Sequence, residues 1–134
     1  MLLDTGVIVA LLDRSERQHS ACVDAVQAIS VPLVTCEAVI AESCYLLRGM
    51  AGAAEAVLEN LVTGTFQIPF QLSASAPQIQ RILRKYQDRE IDLADACLIH
   101  LANELHTPDI LTLDRDFEVY RWGAKKTFRT LIPL

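Results

Sequence analysis

Short apolar segments alternate along this chain with segments of helical length, and this alternation restricts the fold more than any other feature of the sequence. The apolar segments are predicted to be strands, at residues 1–4, 31–35, 66–70, 109–113 and 128–132. Strands that are separated by helices pair in parallel, because each connection must cross from one end of the sheet back to the other. The sequence therefore predicts an α/β fold with a central parallel sheet and helices on both of its faces.

The helical segments between these strands are predicted at residues 5–12, 13–29, 37–48, 53–62, 78–86 and 93–105. The last of them has the composition most typical of a helix. Near the start of the chain, Asp-Arg-Ser-Glu fits a capping box, with Asp13 as the N-cap residue and Glu16 three positions later. This pattern predicts that the second helix begins directly after Asp13.

The length and composition fit one domain. The chain has 134 residues, of which 51% are hydrophobic and 22% charged, so we expect a single domain over residues 1–134. The apolar start carries Asp4 and Asp13 and has no basic leader, so it predicts neither a membrane helix nor a signal peptide. The four cysteines form no CxxC pair and have apolar neighbours, which favours buried thiols in a reducing cytoplasm.

Charge is unevenly distributed along the sequence. The formal net charge is −5, and residues 115–134 hold five basic and two acidic side chains, so the first 114 residues sum to −8. A protein that binds polyanions through general basicity does not have this balance. If the ligand is a nucleic acid, we expect a small basic rim beside an acidic centre.

Four carboxylates stand at positions that solubility alone does not explain. Asp4 and Asp114 end predicted strands, whereas Glu42 and Asp95 lie within apolar helical segments. The carboxyl ends of parallel strands meet at one edge of a sheet, and helices beside that edge can add further side chains. Clustered carboxylates repel one another unless a cation holds them, and a hard divalent ion such as Mg²⁺ or Mn²⁺ prefers oxygen ligands. Such a site suits the hydrolysis of phosphodiesters.

Each of these acids also has a purely structural interpretation. Asp4 could cap the helix that follows it. Asp95 could lie in the first turn of its helix only because a negative charge there interacts favourably with the helix dipole. Glu42 could form a surface ion pair with Arg48, and Asp114 could begin a turn.

Further acids lie beside the four. Asp92 is a good N-cap candidate for the helix at residues 93–105. Asp116 could be an alternative metal ligand or a solvated turn residue, and the two interpretations carry equal weight. Glu37 lies in the first turn of its helix, where a negative charge suits the dipole.

Four ordered segments resemble the PIN domain family, in the form found in VapC-type toxins of toxin–antitoxin pairs. These segments are LLDTGVIVALL, EAVIAESCYLL, IDLADACLIHLA and ILTLDRDF, and the resemblance covers essentially the whole chain. It implies a three-layer α/β/α fold with a central parallel sheet, a metal-dependent ribonuclease activity and a cofactor of Mg²⁺ or Mn²⁺. It places the family's acidic quartet on Asp4, Glu42, Asp95 and Asp114.

The resemblance also implies roles for individual residues. Thr5 and Thr112 match family hydroxyl positions that orient carboxylates or water. Three aspartates, Asp4, Asp95 and Asp114, would hold the metal, and Glu42 would be a ligand or orient water. A water of lowered pKa would attack phosphorus in line, which leaves 5′-phosphate and 3′-hydroxyl ends.

The partners that the resemblance implies are an RNA substrate, a separately encoded antitoxin that blocks the acidic groove, and a second copy of the chain. Apolar faces near residues 39–62 are candidate contact surfaces, although packing in the core explains them equally. The candidate phosphate contacts are Arg81, Arg84, Lys85, Arg89, Arg115, Arg121, Lys125 and Lys126. For the group at residues 81–89, a solvated helix face is an equally good interpretation. Tyr120 and Trp122 could stack on a base, although packing is the commoner role for such aromatics, and the three histidines are interpreted as structural.

Two other functions remain open at this point. An aspartyl-nucleophile phosphatase also has an Asp after its first strand, but it needs a second Asp two positions later, where this chain has Gly6. A catalytically silent interaction module on the same fold would lack one or more of the four acids, and none is missing here.

Overall fold

The computed structural model describes residues 1–133. Its strands, in chain order, are β1 (Leu2–Leu3), β2 (Leu33–Val34), β3 (Phe66–Gln67), β4 (Asp109–Leu111), β5 (Arg121–Trp122), β6 (Lys126–Thr127) and β7 (Arg129–Thr130). Five of them form a parallel sheet in the order β3-β2-β1-β4-β7. The predicted central parallel sheet is therefore confirmed, with strands shorter than the apolar segments that contain them.

The helices flank this sheet. They are α1 (Thr5–Leu12), α2 (His19–Gln27), α3 (Glu37–Leu46), α4 (Ala53–Val62), α5 (Leu72–Lys85) and α6 (Leu93–Leu105), with short 3-10 helices at Gln87–Arg89 and Arg115–Glu118. In residues 1–133, no helix combines the length and the hydropathy that crossing a bilayer requires.

The order of the strands creates a switch point at the centre of the sheet. From β1 the chain moves outward to β2 and β3, and it then returns to place β4 on the other side of β1. Leu2 pairs with Ile110 and Leu3 with Leu111. Ligands of open α/β sheets bind in the crevice beyond the carboxyl ends of the strands at such a point.

The core brings α6 deep into the molecule. Both residues of β1 are fully buried, as are Ile110 and Leu111 of β4. In α6, every residue from position 94 to position 102 is buried. A helix that is apolar on all sides packs in the interior of a protein. The burial of α6 therefore also buries Asp95, the acidic residue in its first turn.

A small antiparallel hairpin was not predicted. It pairs β5 with β6, and its turn contains Gly123 at φ 50° and Ala124 at φ 73°. A positive φ is common for Gly but unusual for Ala, so the sequence lacks the usual turn signal. The backbone N–H of Gly123 donates a 2.7 Å hydrogen bond to the side chain of Asn103 in α6, which fixes the hairpin to the core.

The predicted start of the second helix was wrong. Asp13 ends α1, and its carboxylate accepts hydrogen bonds from the backbone and the hydroxyl of Ser15, so this segment is a turn. The helix α2 begins only at His19, whose ring bonds the carbonyl of Ala10 at 2.6 Å. Local side-chain bonds of this kind compete with helix formation.

The predicted start of α5 was also wrong, because the helix begins six residues earlier, at Leu72, and contains Pro77. Pro77 is the sixth residue of α5, so the helix lacks the hydrogen bond that an N–H there would donate to the carbonyl of Ser73, and a proline at such a position ordinarily indicates a helix boundary.

Candidate active site

A cleft of about 340 Å³ opens at the carboxyl edge of the sheet, at the switch point between β1 and β4. Acidic side chains dominate its lining, which consists of Asp4, Thr5, Gly6, Glu42, Leu46, Asp92, Asp95, Leu113 and Asp114. Four separate parts of the sequence therefore meet at one place, as the resemblance implied.

Asp4 follows β1 directly and is the N-cap residue of α1. One of its carboxylate oxygens, Oδ1, accepts a 2.8 Å hydrogen bond from the backbone N–H of Thr5, and Oδ2 accepts one of 2.7 Å from the hydroxyl of Thr112. The helix-capping role and the place in the cluster are therefore compatible. Thr112 lies where the resemblance implied a hydroxyl that orients a carboxylate.

Asp114 and Asp95 approach Asp4 from two further elements. Asp114 follows β4, and its Oδ1 accepts a 2.8 Å hydrogen bond from the backbone N–H of Asp116. Asp95 lies in the first turn of α6, and its Oδ2 accepts a 3.2 Å hydrogen bond from the hydroxyl of Tyr120. One carboxylate oxygen from each of the three aspartates lies within 4.8 Å of the other two.

Burial and mutual repulsion perturb the ionisation of this cluster. Burial raises the pKa of Asp4 to about 6, although the hydrogen bonds from Thr112 and Thr5 oppose the shift. Burial, and then the negative charges of Asp4, Asp92 and Asp114, raise the pKa of Asp95 to about 8. A dication would remove this repulsion, since it favours the ionised form of every carboxylate around it.

The donor set fits a hard divalent cation. All three clustered groups are carboxylates, which Mg²⁺ and Mn²⁺ prefer. Thr5 also lines the cleft, and among residues 1–133 its hydroxyl is the one fully buried side-chain polar atom without a hydrogen-bond partner. A buried hydroxyl without a partner is costly, so an oxygen ligand of a bound cation would satisfy it.

Glu42 and Asp92 line the cleft but lie outside the tight cluster of three. Glu42 is half-buried on α3, and Arg48 does not pair with it, because the Arg48 guanidinium lies over the ring of Tyr45. Asp92 is the N-cap residue of α6, as predicted, and its carboxylate accepts a 2.8 Å hydrogen bond from the backbone N–H of Asp95.

Asp116 lies beside the cluster and does not line the cleft. Its carboxylate pairs with Arg89 at 3.2 Å, and its backbone orients Asp114. In this geometry Asp116 orients Asp114 through its backbone N–H, and its own carboxylate is not part of the cluster.

Three residues that were predicted as candidate nucleic-acid contacts instead make contacts within the protein. One guanidinium nitrogen of Arg121 donates to the carbonyls of Glu118, Val119 and Tyr120, so it ends the preceding 3-10 helix. Tyr120 is fully buried and Trp122 is 7% exposed, so neither can stack on a base in this conformation.

One side chain of the site could not be identified from the sequence. The hydroxyl of Tyr120 contacts Asp95 across 25 positions of the chain. Spacing carries no signal for this contact, because it depends on how the 3-10 helix at Arg115–Glu118 turns the chain back toward α6.

Comparisons with known proteins agree with this fold. A search of curated proteins finds ribonuclease VapC26 of Mycobacterium tuberculosis, which is 37% identical over 117 residues, or 86% of this chain and 87% of that protein. Among solved structures, VapC20 of Mycobacterium tuberculosis, described as a toxin that cleaves the sarcin-ricin loop, matches with a TM-score of 0.79. This alignment covers 88% of this chain and 92% of that one, at 18% identity. The family model of the PIN domain matches residues 1–123, and the chain therefore belongs to the PIN domain family.

Proposed function

We propose that this protein is a divalent-metal-dependent ribonuclease that hydrolyses RNA phosphodiester bonds, with Mg²⁺ or Mn²⁺ as its cofactor. The observation that carries the proposal is the meeting of Asp4, Asp95 and Asp114 within 4.8 Å at the switch point of the sheet. The name of the relative VapC26, a ribonuclease, supports the same activity.

The residues of the cleft have separate tasks in this proposal. Asp4, Asp95 and Asp114 hold the cation through carboxylate oxygens, and Glu42 reaches the cleft from α3 as a further ligand or as the group that orients water. The Thr5 hydroxyl, which has no partner within the protein, would donate to an oxygen ligand of the cation. When bound, the cation lowers the pKa of water and stabilises negative charge on the phosphate. Attack by water leaves 5′-phosphate and 3′-hydroxyl ends.

Basic side chains near the cleft bind the RNA backbone in this proposal. Lys85 of α5 donates to the carbonyl of Ala124 in the hairpin, so the two elements lie side by side. The exposed basic side chains on these two elements are Arg81, Arg84, Lys85, Lys125 and Lys126. Arg89 pairs with Asp116, and Arg115 directly follows Asp114 in the sequence. RNA binding then takes place on a local basic surface of an acidic protein.

The role of a toxin, with a cognate antitoxin as its partner, is part of the same proposal and rests on the VapC relatives. We also propose a homodimer, a cytoplasmic location and a single domain over residues 1–134. The dimer is supported by exposed apolar side chains on α3 and α4, among them Tyr45, Leu58 and Val62.

Cleavage of a defined RNA in Mn²⁺ or Mg²⁺ tests the function. We expect cleavage that EDTA abolishes, products with 5′-phosphate ends, and no cleavage by Asp95→Asn. A silent interaction module would leave the RNA intact under all conditions. A phosphatase would release phosphate from a small phosphomonoester and would not shorten the RNA.

A further inference from the structure

The three clustered aspartates are each held by a hydrogen-bond donor. Asp4 has the Thr112 hydroxyl and the Thr5 backbone N–H, and Asp114 has the backbone N–H of Asp116. For Asp95, the side-chain donor is the hydroxyl of Tyr120. The resemblance assigns orienting roles to Thr5 and Thr112, but it assigns none to Tyr120.

The position of the Tyr120 hydroxyl is fixed by the packing of its ring. The residue is fully buried. Its ring makes edge-to-face contacts with Tyr86, at a centroid distance of 5.0 Å, and with Phe117, at 5.1 Å. Aromatic pairs with this geometry are favourable beyond the area that they bury. A hydroxyl held in this way cannot follow Asp95 if the carboxylate rotates.

Asp95 needs such a donor more than its neighbours do. It is 7% exposed, and three other carboxylates in the cleft repel it. A short acid on the first turn of a helix can rotate about χ1 and χ2, and repulsion from the other acids favours a rotamer that points away from them. The bond from Tyr120 opposes that rotation and keeps the carboxylate in the cluster.

We propose that Tyr120 is a positioning residue for Asp95, which holds the carboxylate in the orientation that binds the divalent cation. Its hydroxyl donates to Oδ2, so the other carboxylate oxygen, Oδ1, keeps its lone pairs for the cation. Outer donors to metal-ligating carboxylates typically change metal affinity by about 10–100-fold when they are removed. The inference rests on the cation site of the proposed function.

The chain offers a closely matched control. Tyr86 is also buried, and its ring packs against that of Tyr120. Its hydroxyl, however, accepts a 2.9 Å hydrogen bond from the backbone N–H of Arg121 and does not contact the carboxylate cluster. Tyr86→Phe and Tyr120→Phe therefore remove the same atom from neighbouring rings, and only one of them removes a donor to Asp95.

The experiment is a calorimetric titration of the metal-free protein with Mn²⁺, alongside thermal unfolding in EDTA. We expect the dissociation constant for Mn²⁺ to rise by about 10–100-fold in Tyr120→Phe and to stay unchanged in Tyr86→Phe. With saturating Mn²⁺, the kcat of Tyr120→Phe for RNA cleavage should recover toward that of the unmodified protein.

Two results would overturn the inference. One is a Tyr120→Phe protein that binds Mn²⁺ as tightly as the unmodified protein, or no more weakly than Tyr86→Phe. The other is loss of cooperative unfolding in Tyr120→Phe alone, because the fold and not the cation site would then require the hydroxyl. If the unmodified protein binds no Mn²⁺, the proposed function fails first, and the two failures are therefore distinguishable.

Discussion

Each clustered aspartate uses its oxygens for two purposes. In Asp4 one oxygen caps α1 and the other bonds Thr112, while the same carboxylate contributes to the cluster of three. An ionised carboxylate can accept about four hydrogen bonds or metal contacts, so these roles do not compete. The capping role of Asp4 is therefore confirmed and is compatible with metal binding by the same carboxylate, which stays a prediction.

Neutralising one member of the cluster should separate stability from activity. We expect Asp95→Asn to abolish Mn²⁺ binding and RNA cleavage, and to raise the melting temperature of the metal-free protein. The reason is that Asp95, which is ionised in the unfolded chain, must on folding either take up a proton or carry a charge that burial and three like charges disfavour, and Asn has neither cost. Thermal unfolding in EDTA measures this effect. Glu37→Gln, at an exposed acid outside the cleft, is the control, and a lower melting temperature for Asp95→Asn in EDTA would contradict the explanation.

The raised pKa values also predict how stability depends on pH. In the folded protein the pKa of Asp4 is about 6 and that of Asp95 is about 8, whereas an unfolded Asp has a value of 3.8. The metal-free folded state thus binds more protons than the unfolded state between about pH 4 and pH 8, and its stability contribution from these groups falls as pH rises through that range.

Mn²⁺ binds the deprotonated carboxylates, so its stabilising effect should grow over the same range. Melting temperatures in EDTA and in Mn²⁺ from about pH 5 to pH 8 measure the difference. We expect the two curves to diverge as pH rises. Parallel curves would show that these carboxylates do not bind the ion.

At the scale of elements, the strands and most helices could be predicted because their signal is local. The composition of residues 93–105 gives α6 its predicted bounds, and α1 and α4 also begin and end as expected. The hairpin at β5 and β6 could not be predicted, because Ala124 replaces the usual turn residue and the contact of Gly123 with Asn103 lies far away in sequence. The start of α2 was predicted wrongly at Asp13 because the same residue types begin both helices and turns.

The site could be predicted in part for a related reason. Asp4 and Asp114 follow strands, so the parallel sheet alone brings them to one edge. The positions of Asp95 and Glu42 depend on how deeply their helices pack against the sheet and on how the helices are rotated. The sequence pattern does not specify either, so the assignment of these two residues to the site rested on the family resemblance. The contact between Tyr120 and Asp95 had no signal of either kind, since it depends on the packing of aromatic rings.

The contiguity of α5 and the hairpin predicts how RNA is bound. Arg81 and Arg84 are exposed and lie on one face of α5. We expect Arg81→Gln combined with Arg84→Gln to raise the KM for RNA and to leave kcat almost unchanged, since phosphate contacts position the strand without touching the reacting atoms.

The salt dependence of binding provides the measurement. A plot of the logarithm of the RNA association constant against the logarithm of the salt concentration has a negative slope. The magnitude of this slope should fall by about 0.7 for each lost contact with a phosphate of a single strand. The control is Arg14→Gln combined with Arg17→Gln, which removes the same charge from the exposed turn before α2. Equal effects of the two pairs would mean that the RNA senses only the net charge of the protein.

At the scale of the whole molecule, the exposed apolar surface predicts self-association. Leu58 and Val62 lie four residues apart on α4 and are 48% and 78% exposed. If this face forms the dimer interface, Leu58→Glu combined with Val62→Glu should shift the mass measured by sedimentation equilibrium from that of two chains to that of one.

A second charged pair keeps this experiment specific. Leu105 and Val119 are also exposed apolar residues, and they lie outside α3 and α4. Leu105→Glu combined with Val119→Glu changes the net charge equally and should leave the dimer intact. An unmodified protein that sediments as a single chain would contradict the proposed dimer.

The molecule as a whole is acidic, with a net charge of −5, and its most buried charges are gathered at one edge of one sheet. The proposed activity therefore depends on a cation bound at that edge. Crystals soaked in Mn²⁺ and measured near the manganese absorption edge test this most directly. We expect an anomalous peak about 2.0–2.6 Å from carboxylate oxygens of Asp4, Asp95 and Asp114. A fully soaked crystal with no peak between these three residues would contradict it.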